Sequence, residues 1–144
     1  MANSTALNIA DAVVETLKTI TYNDSALPAV RSLFPFYELK ELKTLKISVV
    51  PRAVACANFD RSASEFNYEI DIAVQKAVAS TNDVELEQLM NLVLTIAKTF
   101  RRKVYANLGG ASCFKQDVEL ISAEHIQPPP VFTSVITLHF KVIE

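Results

Sequence analysis

The stretch EFNYEIDIAVQKAV, residues 65–78, constrains the fold more than any other part of the chain. Phe66, Tyr68, Ile70, Ile72, Val74 and Val78 share one parity, and Asn67, Glu69, Asp71, Ala73 and Gln75 share the other. A period of two predicts a strand with one face in a core. Its second face carries Glu69 and Asp71, which could be a paired carboxylate for acid–base or metal chemistry, a solvated face, or part of a subunit contact. The same spacing arises whenever a sheet shows water a polar face, so a structural role is the stronger reading.

Around this strand the remaining elements follow from periodicity. Leu7, Ala10, Val13, Val14, Leu17 and Ile20 recur at three- and four-residue intervals and predict an amphipathic helix over 7–20, with Asn3 or Ser4 as its cap. Pro28 ends that helical region, and Pro35 makes AVRSLFPFYELKEL an edge or bent segment. TLKISVVP alternates Leu45, Ile47 and Val49 against Lys46 and Ser48, predicting a strand that stops at Pro51. Residues 52–64 then read as a long loop, the first place to seek binding residues.

A second helix is predicted from STNDVELEQLMNLVLTIAKTFRRK. Asn82 or Asp83 can cap it, Glu85 and Glu87 lie at its positive end, and Arg101, Arg102 and Lys103 lie at its negative end. Leu86, Leu89, Val93, Ile96, Ala97 and Phe100 form its apolar stripe. After a glycine loop over 106–114, KQDVELISAEHI and VFTSVITLHFKV read as two strands separated by Pro128, Pro129 and Pro130. In the last strand Phe132, Ile136, Leu138, Phe140 and Val142 share a parity that Ser134 interrupts. These elements predict a single α+β domain over 1–144, a mostly antiparallel sheet of about four or five strands with two helices packed on one face.

Charge and cysteine usage narrow the function. Fourteen Lys and Arg against sixteen Asp and Glu give a formal charge of −2, which offers no bulk electrostatic grip on nucleic acid. Half of the residues are hydrophobic, high for a small monomer, so some apolar surface is expected between subunits. Cys56 and Cys113 lack CxxC spacing and read as free thiols in a reducing compartment. The N-terminal residues lack a basic and apolar leader pattern, so a soluble protein made in the cytoplasm, without membrane partners, is expected.

No motif here carries chemistry convincingly. His125, His139 and Cys113 could supply three zinc ligands only if distant parts of the chain converged, and no thiol–imidazole pair has a visible activating environment. NLGGASCFK matches neither phosphate-binding glycine pattern and reads as a turn. No catalytic residue, metal or cofactor is assigned.

Several word-like stretches nevertheless stand out: LKISVVPRA with VVPR at 49–52, YEIDIAVQK at 68–76, the Glu-rich opening of ELEQLMNLVLTIAKTFR, and PPPVFTSVITLHFKV with FTSVITL at 132–138. Over roughly residues 30–143 the chain resembles the small tail-terminator, or tail-completion, proteins of tailed bacteriophages and prophages. The resemblance implies a virion structural subunit without catalysis, assembled in the host bacterial cytoplasm. Such proteins form a ring, commonly a hexamer, that caps the tail tube, ends its polymerisation and receives the head connector. Implied partners are therefore further copies of itself, the tail-tube protein and the head–tail connector or adaptor, with passive contact to DNA in the lumen. Arg52, Arg61, Glu69, Asp71, Gln75 and His139 become candidate interface residues, and the 52–64 and 106–114 loops candidate contacts with the tube or connector. The alanine-rich RAVACA after VVPR departs from the family pattern. A head-closure or connector-adaptor ring is the alternative within the virion, and a small α+β enzyme using Glu69, Asp71 and His139 the weaker alternative outside it.

Overall fold

A computed structural model describes residues 5–22, 24–32, 45–58, 60–77, 83–120 and 131–143. Helix α1 (Thr5–Leu17) is followed by three short strands, β1 (Thr21–Tyr22), β2 (Ser25–Ala26) and β3 (Ala29–Arg31). Two long strands, β4 (Lys46–Asn58) and β5 (Ser64–Ala77), then form a hairpin. Helix α2 (Asp83–Thr99) precedes β6 (Val104–Tyr105), a 3-10 turn (Ala106–Leu108), β7 (Ala111–Glu119) and β8 (Val131–Ile143). Asn3, Ser4, Pro35, Asn82, His125 and the Pro128–Pro130 run lie outside the described residues.

The main sheet has six strands in the order β3-β4-β5-β8-β7-β6, and β1 pairs with β2 in a separate two-stranded sheet. β3 runs parallel to β4, aligning Ala29, Val30 and Arg31 with Ile47, Ser48 and Val49. The sheet is therefore mixed and six-stranded, which corrects the mostly antiparallel sheet of four or five strands expected from periodicity. The reason is length: β3 and β6 have three and two residues, too few to display an alternation.

The expected loop at 52–64 is a second correction. β4 continues through Pro51 to Asn58, pairing Val54 with Tyr68 and Asn58 with Ser64. The register shifts between Pro51 and Ala53, so Arg52 is the extra residue of a β-bulge, which lets a proline sit inside the strand. The turn proper is short. Asp60 closes it by accepting from the Ser62 and Ala63 backbone N–H groups, both at 2.8 Å.

One cluster joins both helices to the strand parity read as internal. Ile9, Val13 and Leu17 of α1, Leu89, Val93 and Ile96 of α2, and Ile47, Val49, Ile70, Ile72, Val74, Ile136, Leu138 and Phe140 of the sheet are all buried in it. Ser134, the polar interruption in β8, is buried as well, and its Oγ donates to the Glu119 carbonyl at 2.7 Å. Side-chain bonds fix the remaining pieces. Tyr105 Oη lies 2.7 Å from Thr16 Oγ1 and ties β6 to α1, Lys76 of β5 pairs with Glu85 of α2, and Gln116 Nε2 donates to the Ala97 carbonyl at 2.8 Å. That last bond satisfies one of the carbonyls a helix leaves open at its end. Gly109 and Gly110, at φ +70 and +74, make the left-handed turn into β7.

Candidate interaction surface

The outer face of the sheet carries an ionic network assembled across four strands. Cross-strand register sets Ala53, Glu69, His139 and Lys115 on one level, and Val50, Asp71, Thr137 and Asp117 on the next. The bulge aims Arg52 at both levels. Its Nη2 donates to Glu69 Oε2 at 3.0 Å, and its Nε lies 3.4 Å from Asp71 Oδ2.

His139 sits between two carboxylates, with Nε2 3.0 Å from Asp117 Oδ2 and Nδ1 3.5 Å from Glu69 Oε1. Asp71 Oδ1 accepts from Thr137 Oγ1 at 2.7 Å, and Lys115 Nζ stands 3.8 Å from Asp117. Phe114 covers one end of the network, its ring centroid 6.1 Å from the imidazole and 5.5 Å from Lys141 Nζ. Each carboxylate is thus held by a cation or a hydroxyl donor, the arrangement of a fixed charged lattice.

Four of the six candidate residues therefore come together: Arg52, Glu69, Asp71 and His139. Gln75 shares their face but lies farther along β5, opposite Lys46 and Thr133, where it is only 4% exposed and its Oε1 has no hydrogen-bond partner among the described residues. Arg61 is exposed in the turn at the far end of the hairpin, and no ion pair to it occurs among the described residues. Asp117, Lys115 and Thr137 complete the network. Thr137 is predicted on the polar parity of its strand, but the β7 partners depend on a register shift between Cys113 and Lys115 that spacing alone does not reveal.

His125 lies outside the described residues, and among the described ones Cys113 and His139 lack the geometry of a shared metal or nucleophile site. Cys113 is buried, opposite Phe140 on the helix side, whereas His139 faces outward, so the two cannot converge. Burial pushes the Cys113 thiol above its usual range, away from the reactive thiolate. Among the described residues no group of three or more His, Cys, Asp or Glu is placed to hold a metal ion, and no helix is long and apolar enough to cross a membrane. A cleft between the end of α2 and β7 is lined by Arg101, Arg102, Val104, Ser112, Phe114 and Lys115, and contains neither Glu69 nor Asp71.

No protein-family model matches the chain, and no curated protein matches it. Among solved structures, the chain is similar to one in the virion of a native gene transfer agent (GTA) particle. That similarity covers 99% of this chain and 100% of the other, with a TM-score of 0.59 and 13% sequence identity. The two share a fold along their whole lengths.

Proposed function

We propose that this protein is a structural subunit of a phage-like virion, a tail terminator that forms a ring, caps the tail tube and joins it to the head connector. The observation that carries this reading is the end-to-end fold similarity to a chain of a GTA virion, with no unmatched domain on either side. The stretches that resemble tail terminators add to it. YEIDIAVQK and FTSVITL fall on the paired central strands β5 and β8, and VVPR spans the bulge that aims Arg52. In this reading Arg52, Glu69, Asp71 and His139 form a rigid charged face for a neighbouring subunit, and Arg61 at the hairpin tip meets the tube or connector.

Two measurements test the proposal together. Native mass spectrometry should give a closed oligomer, and the purified oligomer added to polymerising tail-tube subunits should stop their growth at the end it occupies. A ring that leaves tube growth unaltered would exclude the terminator role and move the chain to another neck layer.

A further inference from the structure

Among the described residues both edges of the main sheet are open, and they match each other. On one side β3 covers β4 only at Ile47, Ser48 and Val49, with Ser32 N donating to the Val49 carbonyl. Every residue from Arg52 to Asn58 is exposed. On the other side β6 covers β7 only at Ala111 and Ser112, with Cys113 N donating to the Lys103 carbonyl. Phe114 to Glu119 then run on without a further strand partner among the described residues, and all but Gln116 are exposed. Strands that must stay monomeric protect such edges with charge, proline or a bulge. The stretch Ala53-Val-Ala-Cys-Ala57 has none of these within it.

We propose that copies of this chain join edge to edge, the open part of β4 in one copy pairing with the open part of β7 in the next, a contact that rests on the ring reading above. Three observations select a second copy of this chain as the occupant. First, β4, β5, β8 and β7 alternate in direction, so the β4 of an identically oriented neighbour meets β7 antiparallel and continues the pattern.

Second, the side chains are complementary. Ala53, Ala55 and Ala57 on the outer face leave room for the long Lys115, Asp117 and Glu119, while Val54 and Val118, 55% and 38% exposed, share the helix-side parity and would cover each other. Third, the open stretches are staggered. Gln116 is level with Ile70, and Ala55 with Asn67, an offset along β5 of roughly 10 Å at ~3.3 Å per residue. Repeating one stagger at every junction tilts the strands, the condition for a sheet to close on itself. A head-to-tail joint of this kind closes into a ring when its rotation per copy divides a full turn, and the closed ring leaves neither edge open.

The native Cys56 provides the test, because it lies in the open stretch on the same parity as Gln116 and Val118. Gln116→Cys and Val118→Cys, made separately, bracket the register. Oxidation of the assembled Gln116→Cys variant with diamide should produce a ladder of disulfide-linked species beyond the dimer, which Cys56→Ser in the same background abolishes, whereas Val118→Cys, opposite Val54 in this register, should link poorly. In parallel, Val54→Lys should convert the oligomer to monomers in native mass spectra without lowering the monomer's melting temperature.

A persistent oligomer with no ladder and an unaffected Val54→Lys variant would overturn the edge joint while leaving the ring reading intact. Cross-linking that stops at a Cys56–Cys56 dimer would overturn it in favour of a two-fold contact. A chain that stays monomeric at all concentrations would overturn both.

Discussion

Asp71 and Thr137 occupy directly opposed positions on β5 and β8, and the Thr137 hydroxyl donates to Asp71 Oδ1 at 2.7 Å. This bond holds one carboxylate oxygen of the outer-face network while Arg52 approaches the other. Asp71 is the less exposed of the two carboxylates facing Arg52, at 19% against 29% for Glu69. Asp71→Ala should therefore cost about 1 kcal/mol in urea unfolding, the usual value of one side-chain hydrogen bond, and Arg52→Ala less, because half-exposed ion pairs contribute little. In the double variant Glu69→Ala/Asp71→Ala the monomer should still fold cooperatively, and ring mass in native spectra should fall. An unchanged ring mass would remove this face from the subunit contact.

Tyr105 offers a sharper test of what holds the short β6 strand. Burial raises its hydroxyl's pKa, and that hydroxyl lies 2.7 Å from Thr16 Oγ1. Thr16 keeps a second partner, the Ala12 carbonyl at 3.0 Å, so Tyr105→Phe leaves no orphaned donor. Its cost should be about 0.5–1 kcal/mol, whereas Phe140→Ala, which empties a fully buried ring position tilted against Tyr105, should cost about 3–5 kcal/mol. Thermal and urea melts that fail to separate the two would contradict this packing.

The parts of the fold legible in the sequence are those long enough to show a period. The alternation over 65–77 and the α2 stripe from Leu89 to Phe100 both correspond to buried faces, and α1 differs in that Ile9 is buried where Leu7 is only partly so. What periodicity misses has definite causes. Arg52–Asn58 is strand because β5 templates it, although alanine has little strand preference and Pro51 signals a stop. The network follows the same logic. Arg52, Glu69, Asp71 and His139 are recognisable as candidates, but their meeting with Asp117 depends on cross-strand register, which no single segment encodes.

The two thiols should differ in reactivity. Cys56 is exposed, while Cys113 is buried with its pKa pushed up by desolvation, so less of it is thiolate at neutral pH. Alkylation of the dissociated chain with iodoacetamide should add a single label at Cys56, with Cys113 modified only on unfolding. Equal rates at both positions in peptide mass maps would contradict the burial.

The hairpin turn should soften in acid. Hydrogen bonds from Ser62 N–H, the Ser62 hydroxyl and the Ala63 N–H lower the pKa of Asp60 in the folded chain. A depressed carboxyl contributes stability above its unfolded pKa and loses that contribution as pH falls through its folded value. The difference in stability between wild type and Asp60→Ala should be present at neutral pH and fade below about pH 4. A gap that persisted at pH ~2 would assign the effect to packing instead of charge.

Deleting a residue from β4 distinguishes a built bulge from an irregularity. Pro51 pairs with Ile70 and Ala53 with Glu69, so Arg52 is the one residue of this stretch without its own partner in the ladder. Deleting Arg52 restores continuous register and should leave a cooperatively folded chain that has lost the contacts to Glu69 and Asp71, at a cost within about 2 kcal/mol. Deleting Ala55 has the opposite character, because every residue from Cys56 to Asn58 must then change face or break its pairing with Phe66, Glu65 and Ser64. Hydrogen exchange at the β5 amides should remain slow in the first variant and quicken from Ser64 to Asn67 in the second. If both deletions quickened it alike, the bulge would be no more than a local imperfection, and the aiming of Arg52 at two carboxylates would have to arise elsewhere.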